Sequence, residues 1–369
     1  MSLPGASAEA VRRHLDALTK PPGSLGHLEE LAVRLGGLLG DPPPPLAPRV
    51  ILVMAGDHGV TAGGVSRYPA DVTRQMCLNM AAGGAAVNVL GRLVDARVVV
   101  VDVGVAGEAP VGAGVLHRRV RAGTRDLSRE PALTPAEVDA ALRTGTGMVE
   151  ELRPRPGILV LGEMGIGNTT AAAALASALL GLDPVESAGP GTGVTVEGWR
   201  RKVRAIRAGV ERLHAARAEA HRNGGEGPDD VAIPSPDRSL ALDALVHCGG
   251  LEIAGLAGAA VEASRRRIPV VLDGFISSVA GLVASRLSPA VDPWLFASHL
   301  SAEPGHPAVL SALGLRPLLS LELRLGEGTG GALALPILEA AGAILREMAT
   351  FDSAGVSGPS TEESSGEGA

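Results

Sequence analysis

The chain is poor in the residue types that most often announce a chemistry. Its two cysteines, Cys77 and Cys248, stand far apart and form no CxxC pair. That excludes a disulfide framework or a thiolate metal knot and leaves a reduced, cytoplasmic setting as the expectation. Three Phe, two Trp and one Tyr in 369 residues offer no platform for stacking single-stranded bases. The net charge is −7 and no Lys/Arg run dominates, so nucleic acid is not an expected partner. Neither HxH nor HExxH occurs; Asp57-His58 and Ser298-His299 are therefore expected to be satisfied or capping positions, and no metal is expected. Ser66 lacks the Gly-x-Ser-x-Gly surroundings of a hydrolase nucleophile. Met1 to Asp16 contains no apolar core of a secretion signal. Met164 to Leu182 is uncharged and near membrane-span length, but Asn168, Thr169, Thr170 and several glycines within it point to a buried loop and helix.

What is abundant is Gly, at 50 residues, within a chain that is 46% hydrophobic. Short apolar runs recur: Arg49 to Met54, Arg97 to Val101, Gly157 to Leu161, Ile268 to Leu272 and Trp294 to Ala297. Such runs without alternation suit strands covered on both faces, as in parallel sheets. Helix-length segments separate them, so the class is α/β with a parallel sheet. Each run ends in glycine or polar residues, and in open α/β sheets ligands bind at that carboxyl edge. Residues 8–18 read as a short helix, and Leu28, Leu31, Leu35 and Leu38 mark a second, amphipathic one before the Pro42–Pro45 run. Val196, Trp199, Val203, Ile206, Val210 and Leu213 form the stripe of a long helix, with Arg200, Arg201, Arg204 and Arg207 on its other faces. His221 to Arg238 reads as a mobile loop. The Ser/Gly/Glu-rich tail, residues 351–369, is expected to be disordered.

Three glycine-rich loops compete as sites. Gly162-Glu-Met-Gly-Ile-Gly-Asn-Thr-Thr170 joins a strand to an Ala-rich helix whose free N–H groups could hold a phosphate. No Gly-Lys-Ser/Thr follows, so it is not a Walker loop, and it fits the dinucleotide fingerprint poorly. Glu163 at a strand end is costly without a purpose, which favours a functional reading. Gly189-Pro-Gly-Thr-Gly193 offers a second backbone cradle, with functional and structural readings evenly balanced. Arg324-Leu-Gly-Glu-Gly-Thr-Gly330 places one carboxylate, Glu327, between glycines that permit close approach.

These loops, with Lys20-Pro-Pro-Gly-Ser-Leu-Gly26, Ala55-Gly-Asp-His-Gly-Val60, Gly249 to Ala254, Leu272-Asp-Gly-Phe-Ile276 and Ser301-Ala-Glu-Pro-Gly-His306, form an ordered set. In that order the chain resembles the nicotinate-nucleotide–dimethylbenzimidazole phosphoribosyltransferases. The resemblance implies a Rossmann-like parallel sheet flanked by helices, with a small helical domain built from both chain ends. Residues 1–45 would supply its first part, 46–330 the catalytic domain, and 331–350 a C-terminal helix packing with the small domain. It implies a homodimer that moves 5-phosphoribose from nicotinate mononucleotide to 5,6-dimethylbenzimidazole, with no cofactor. Glu327 would be the general base and Glu163 a second active-site carboxylate. The benzimidazole would lie near Ser66, Tyr68, Gln75 and Met76. Gly165, Gly167, Asn168, Thr169, Gly191, Thr192, Gly193, Asp273, Gly326 and Gly328 would bind substrate. Pro190 and the long His221 to Arg238 segment depart from the family pattern.

The residues suit that reaction. Nicotinate leaves as a neutral pyridine and needs no acid, whereas the azole must lose its N–H proton, so one base is the minimum. Three alternatives stay open: a phosphoribosyltransferase using another base or a phenol, a nucleotide sensor without turnover, and an oxidoreductase on a similar sheet. The last lacks the fingerprint after the first strand, where Ala55-Gly-Asp-His-Gly59 stands.

Overall fold

The computed structural model describes residues 7–109, 114–191, 193–222 and 236–358. The chain divides into two compact units, Met1–Leu46 with Pro336–Ala369, and Ala47–Leu335.

In the first unit Ser7 caps the helix Ala8–Ala17 by accepting from the Ala10 N–H at 3.1 Å. Val11 and Leu15 bury one face of that helix. The helix His27–Leu39 buries Leu31, Leu35 and Leu38, while Leu28 stays half-buried. Both chain ends are tied together here: the Thr19 N–H donates to the Ala349 carbonyl at 3.0 Å. Glu339 accepts from the Leu46 N–H at 2.9 Å and from Arg346 at 2.5 Å. Of the tail expected to be disordered, Phe351–Ala354 form a helical turn capped by Thr350, and residues 359–369 lie outside the described ones.

The second unit holds a six-stranded sheet in the order β3-β2-β1-β4-β5-β6. The strands are β1 (Arg49–Gly56), β2 (Ala96–Gly104), β3 (Val115–His117), β4 (Ile158–Met164), β5 (Val270–Leu272) and β6 (Leu295–Ala297), and every pairing is parallel. This bears out the α/β class and the Rossmann-like order, whose direction reverses between β1 and β4 and opens a crevice there. All five expected runs are strands. β3 escaped because it is a short edge strand with Leu116 and His117 exposed, so it shows no apolar run. β5 begins only at Val270, because Pro269 has no N–H to give the ladder.

Small side chains set the packing distances. The helix Asn168–Leu180 carries six alanines and is buried from Thr170 to Leu179, which makes the uncharged stretch a core helix. Among the described residues one helix, Thr329–Glu347, is long and apolar enough to cross a membrane by length and composition, and 56% of its apolar window is buried. The helices Pro135–Glu151 and Leu251–Arg265 meet backbone to backbone: a Cβ on Gly145 would lie 1.8 Å from the Gly255 carbonyl oxygen, and one on Gly258 would lie 2.1 Å from that of Leu142. The long helix spans Val196–Arg222. Most of the expected loop, 223–235, lies outside the described residues, and Pro236 already opens the helix Pro236–Cys248. Cys77 and Cys248 are free and buried, and burial pushes both thiols up to about 12.

Alanine is the better helix former by about 1 kcal/mol, yet Gly145→Ala should lower stability by about 1–3 kcal/mol through overpacking. Thermal unfolding checks this, and an unchanged or raised Tm would show that the two helices separate without cost.

Candidate active site

The carboxyl ends of β4, β5 and β6, with Tyr68, Val72 and Met76 from the segment that follows β1, line a cavity of about 320 Å³. β4 delivers Glu163 into its wall from a strand buried along its whole length. The chain then turns through Gly165 and Gly167 into the helix Asn168–Leu180. Asn168 looks back from the first turn and donates its side-chain amide N–H to the Glu163 carboxylate. From below, the Ile166 N–H donates to Thr73 Oγ1 at 3.0 Å, and that hydroxyl donates to Asp57 at 2.5 Å. Asp57-His58 is thus a buried support after β1. His58 Nε2 lies 2.8 Å from Glu252 Oε1; burial opposes charging this ring, but Glu252 and Asp57 together hold the imidazole above its ordinary value.

Opposite Glu163 lies the loop that carries Glu327. Gly326, Glu327 and Gly328 are all left-handed, with φ of 83°, 65° and 91°. For a residue with a side chain that conformation costs about 1–2 kcal/mol, so Glu327 is held there by its surroundings. Gly326 cannot be replaced freely, because a Cβ would sit 2.1 Å from Glu163 Oε1. Asp273, which follows β5, accepts the Gly328 N–H at 3.0 Å and the Gly331 N–H at 2.9 Å. Glu327 is 5% exposed and its Oε2 has no hydrogen-bond partner.

Charge is concentrated at this edge. Burial pushes Glu163 up to about 8, with the charges of Asp273 and Glu252 adding to it. Burial also pushes Asp273 up to about 7 against its backbone N–H partners, and Glu327 adds to that. Glu327 itself is raised by burial, with the Val87 N–H working the other way. His299, after β6, is held down to about 4 by burial and is neutral at pH 7. Its tautomer follows from geometry. Ser298 Oγ donates to the Asp273 carbonyl at 2.5 Å, so His299 Nδ1 must donate to Ser298 Oγ at 2.9 Å. Nε2 is then the basic nitrogen of a side chain that lines the cavity.

At the other end stands Lys202, 1% exposed. Its Nζ donates to Thr169 Oγ1 at 2.9 Å and to the Gly189 carbonyl at 3.0 Å. Burial brings it down to about 8, and Glu303 works to keep it charged. Glu303 Oε1 accepts the Gly191 N–H at 3.1 Å, and Arg324 donates to the Gly191 carbonyl at 3.3 Å. The Pro190 carbonyl closes the same turn by accepting from Gly193 and Val194 at 2.9 and 3.1 Å. The start of the helix Asn168–Leu180 and the buried Lys202 ammonium bring positive potential to this turn, whose Gly191 and Gly193 N–H groups are already taken by Glu303 and Pro190.

Of the residues expected from sequence, Glu327, Glu163, Tyr68, Met76, Gly165, Asn168, Thr169, Gly191 and Gly326 line the cavity. Gly167 caps the helix beside it with φ 97°, and Gly193 completes the Pro190 turn. Asp273 and Gly328 lie behind the wall, bonded to each other. Ser66, whose Oγ accepts the Tyr68 N–H at 3.2 Å, and the exposed Gln75 flank the cavity-lining Tyr68 and Met76 without lining it themselves. Thr192 lies outside the described residues. Sequence reasoning missed Lys202, Glu303, Ser301, His299 and Arg324 as site residues. For Lys202 the signal was present: it stands three after Trp199 and four before Ile206, a lysine inside the apolar stripe.

Known proteins place this arrangement. The model of the DBI_PRT phosphoribosyltransferase family matches residues 2–356. A nicotinate-nucleotide–dimethylbenzimidazole phosphoribosyltransferase of Thermus thermophilus is 48% identical over 94% of this chain and 97% of its own. One from Desulforamulus reducens is 45% identical over 95% and 94%. The crystal structure of CobT from Thermus thermophilus superposes with a TM-score of 0.85 at 47% identity, covering 95% of this chain and 99% of that one. With its strand order, its loops and nearly its full length matched, the chain belongs to the DBI_PRT phosphoribosyltransferase family.

Proposed function

We propose that this chain transfers 5-phosphoribose from nicotinate mononucleotide to 5,6-dimethylbenzimidazole, giving α-ribazole 5′-phosphate and nicotinate. The observation that carries the reading is Glu327: a buried carboxylate in the cavity wall, raised in pKa and with one oxygen unpartnered. The relatives named for this reaction supply the substrates.

The donor phosphate is assigned to the start of the helix Asn168–Leu180, beside Thr169 and Lys202, with the ribose then reaching toward Glu163. At pH 7 Glu163 is largely protonated in the open cavity. The positive charge of the pyridinium donor favours its ionised form, which in turn stabilises positive charge developing at C1′. The benzimidazole lies against Met76, Tyr68 and Leu325, with its N–H toward Glu327. As its other nitrogen bonds to C1′, the C1′–pyridine bond breaks with its electron pair on nitrogen, and the N–H proton passes to Glu327. Attack opposite the leaving ring inverts C1′, which converts a β-nucleotide into an α-product. A homodimer and a cytoplasmic setting belong to the same reading; they rest on the family resemblance and on the two free, buried cysteines.

Incubation with nicotinate mononucleotide and a panel of azoles and phenols, read by product mass, tests the reaction. α-Ribazole 5′-phosphate is the expected main product, and no ribosylated base from any acceptor would overturn the reading. Glu327→Gln should lower kcat by about 10²–10⁴-fold with the fold and mononucleotide binding retained; near-normal turnover would remove Glu327 from the chemistry. For Glu163→Gln the expected result is a large loss in kcat with benzimidazole binding little changed. A kcat within a few-fold of wild type would reduce Glu163 to a structural residue.

A further inference from the structure

We propose that Asp273 is a positioning residue for Glu327: its carboxylate, bridging the N–H groups of Gly328 and Gly331, holds the left-handed turn that presents Glu327 to the cavity. This rests on the assignment of Glu327 as the base, and it departs from the expectation that Asp273 binds substrate.

The geometry carries it. Asp273 is 1% exposed, and its two carboxylate oxygens accept the Gly328 and Gly331 N–H groups at 3.0 and 2.9 Å, with the Gly330 N–H also lowering its pKa. The residue is itself fixed at both backbone ends. Its N–H donates to Ser277 Oγ at 3.0 Å, and that hydroxyl donates to the Leu161 carbonyl of β4 at 2.9 Å. Its carbonyl accepts from Ser298 Oγ after β6. Three adjacent strands therefore set where Asp273 stands, and Asp273 sets where the loop stands. Glu327 precedes the first clamped N–H by one residue and has a φ of 65° that it would not choose in isolation. The N–H groups at 328 and 331 belong to the start of the helix Thr329–Glu347, whose unsatisfied donors favour an anion. The clamp thus joins a helix cap to the aim of the base.

A second consequence is electrostatic. An anion fixed behind Glu327 disfavours a second negative charge, so the pair loses its last proton at a higher pH than either carboxylate would alone. The other groups facing Glu327 are Glu163 from β4, His299 after β6, Arg324 in the same loop, and the Val87 N–H of the helix Ala86–Leu93. Asparagine at 273 would set an amide N–H against one of the loop N–H groups and remove the charge. Glutamate would keep the charge on a longer arm.

The test is steady-state kinetics across pH for wild type, Asp273→Asn, Asp273→Glu and Glu327→Gln, with melting temperatures alongside. Asp273→Asn should lower kcat about 10²-fold, the size of loss expected from a misplacement near 1 Å. The KM for nicotinate mononucleotide should stay within a few-fold, and the acidic limb of the rate profile should move to lower pH. Asp273→Glu should lower kcat with the limb in place. If Asp273→Asn does not fold, Asp273→Glu decides alone: reduced kcat at wild-type KM supports the clamp, and wild-type kcat overturns it. Asp273→Asn with wild-type kcat and an unmoved limb also overturns it. So does a raised KM at unchanged kcat, which would make Asp273 a substrate contact. Glu327→Gln separates the layers. If it turns over normally, the base assignment has failed; if it is dead while Asp273→Asn is normal, only the clamp has.

Discussion

The constraint on which this site depends is the burial of several carboxylates at one sheet edge with little cationic charge to offset them. Glu163, Glu252, Asp273 and Glu327 are each no more than 5% exposed. Isolated buried carboxylates cost so much that they normally take up a proton instead. Here the compensation is mostly neutral. Asp273 takes backbone N–H groups of the Gly328 to Gly331 turn, Glu163 takes the Asn168 amide, and Glu252 faces the His58 imidazole. That compensation is incomplete: Glu163 and Asp273 remain pushed up to about 8 and 7. Glu327, the proposed base, is raised by the same burial.

The same edge is divided by charge. Lys202 and the start of the Asn168–Leu180 helix lie at one end, and Glu163, Asp273 and Glu327 lie at the other. A nucleotide monophosphate with a cationic base has its charges arranged in the same order. Glu303 stands at the Lys202 end, where it holds the Gly191 N–H and biases Lys202 toward its charged form. The crevice between β1 and β4 supplies the place, and the loops supply the polarity.

Much of this was legible in the sequence. The five apolar runs pointed to the parallel sheet, because strands covered on both faces cannot alternate. The polar residues ending each run marked the edge, and Glu327 stood out because glycine flanked it. What escaped did so for physical reasons. β3 is an edge strand of three residues with no buried face to pattern. Lys202 was hidden because a basic helix draws attention to its exposed arginines, although its place within the stripe Val196 to Leu213 was the informative feature. Asp273 was visible as a strand-end acid, but its direction was not. Whether a carboxylate meets a ligand or a backbone turn depends on where a much later loop returns, and no local pattern encodes that.

The low aromatic content, which excludes a base-stacking platform, explains the site as well. Large side chains between sheet and helices would hold the backbone layers apart. Alanine and glycine let them approach, until at Gly162 a Cβ would lie 2.6 Å from the Glu327 carbonyl oxygen. At that separation main-chain N–H groups of one loop reach carboxylates at the ends of neighbouring strands directly. The charge compensation described above therefore depends on small residues beneath it. A bulkier core could bury as much apolar area and still lose the contacts that hold Glu327 in its left-handed turn.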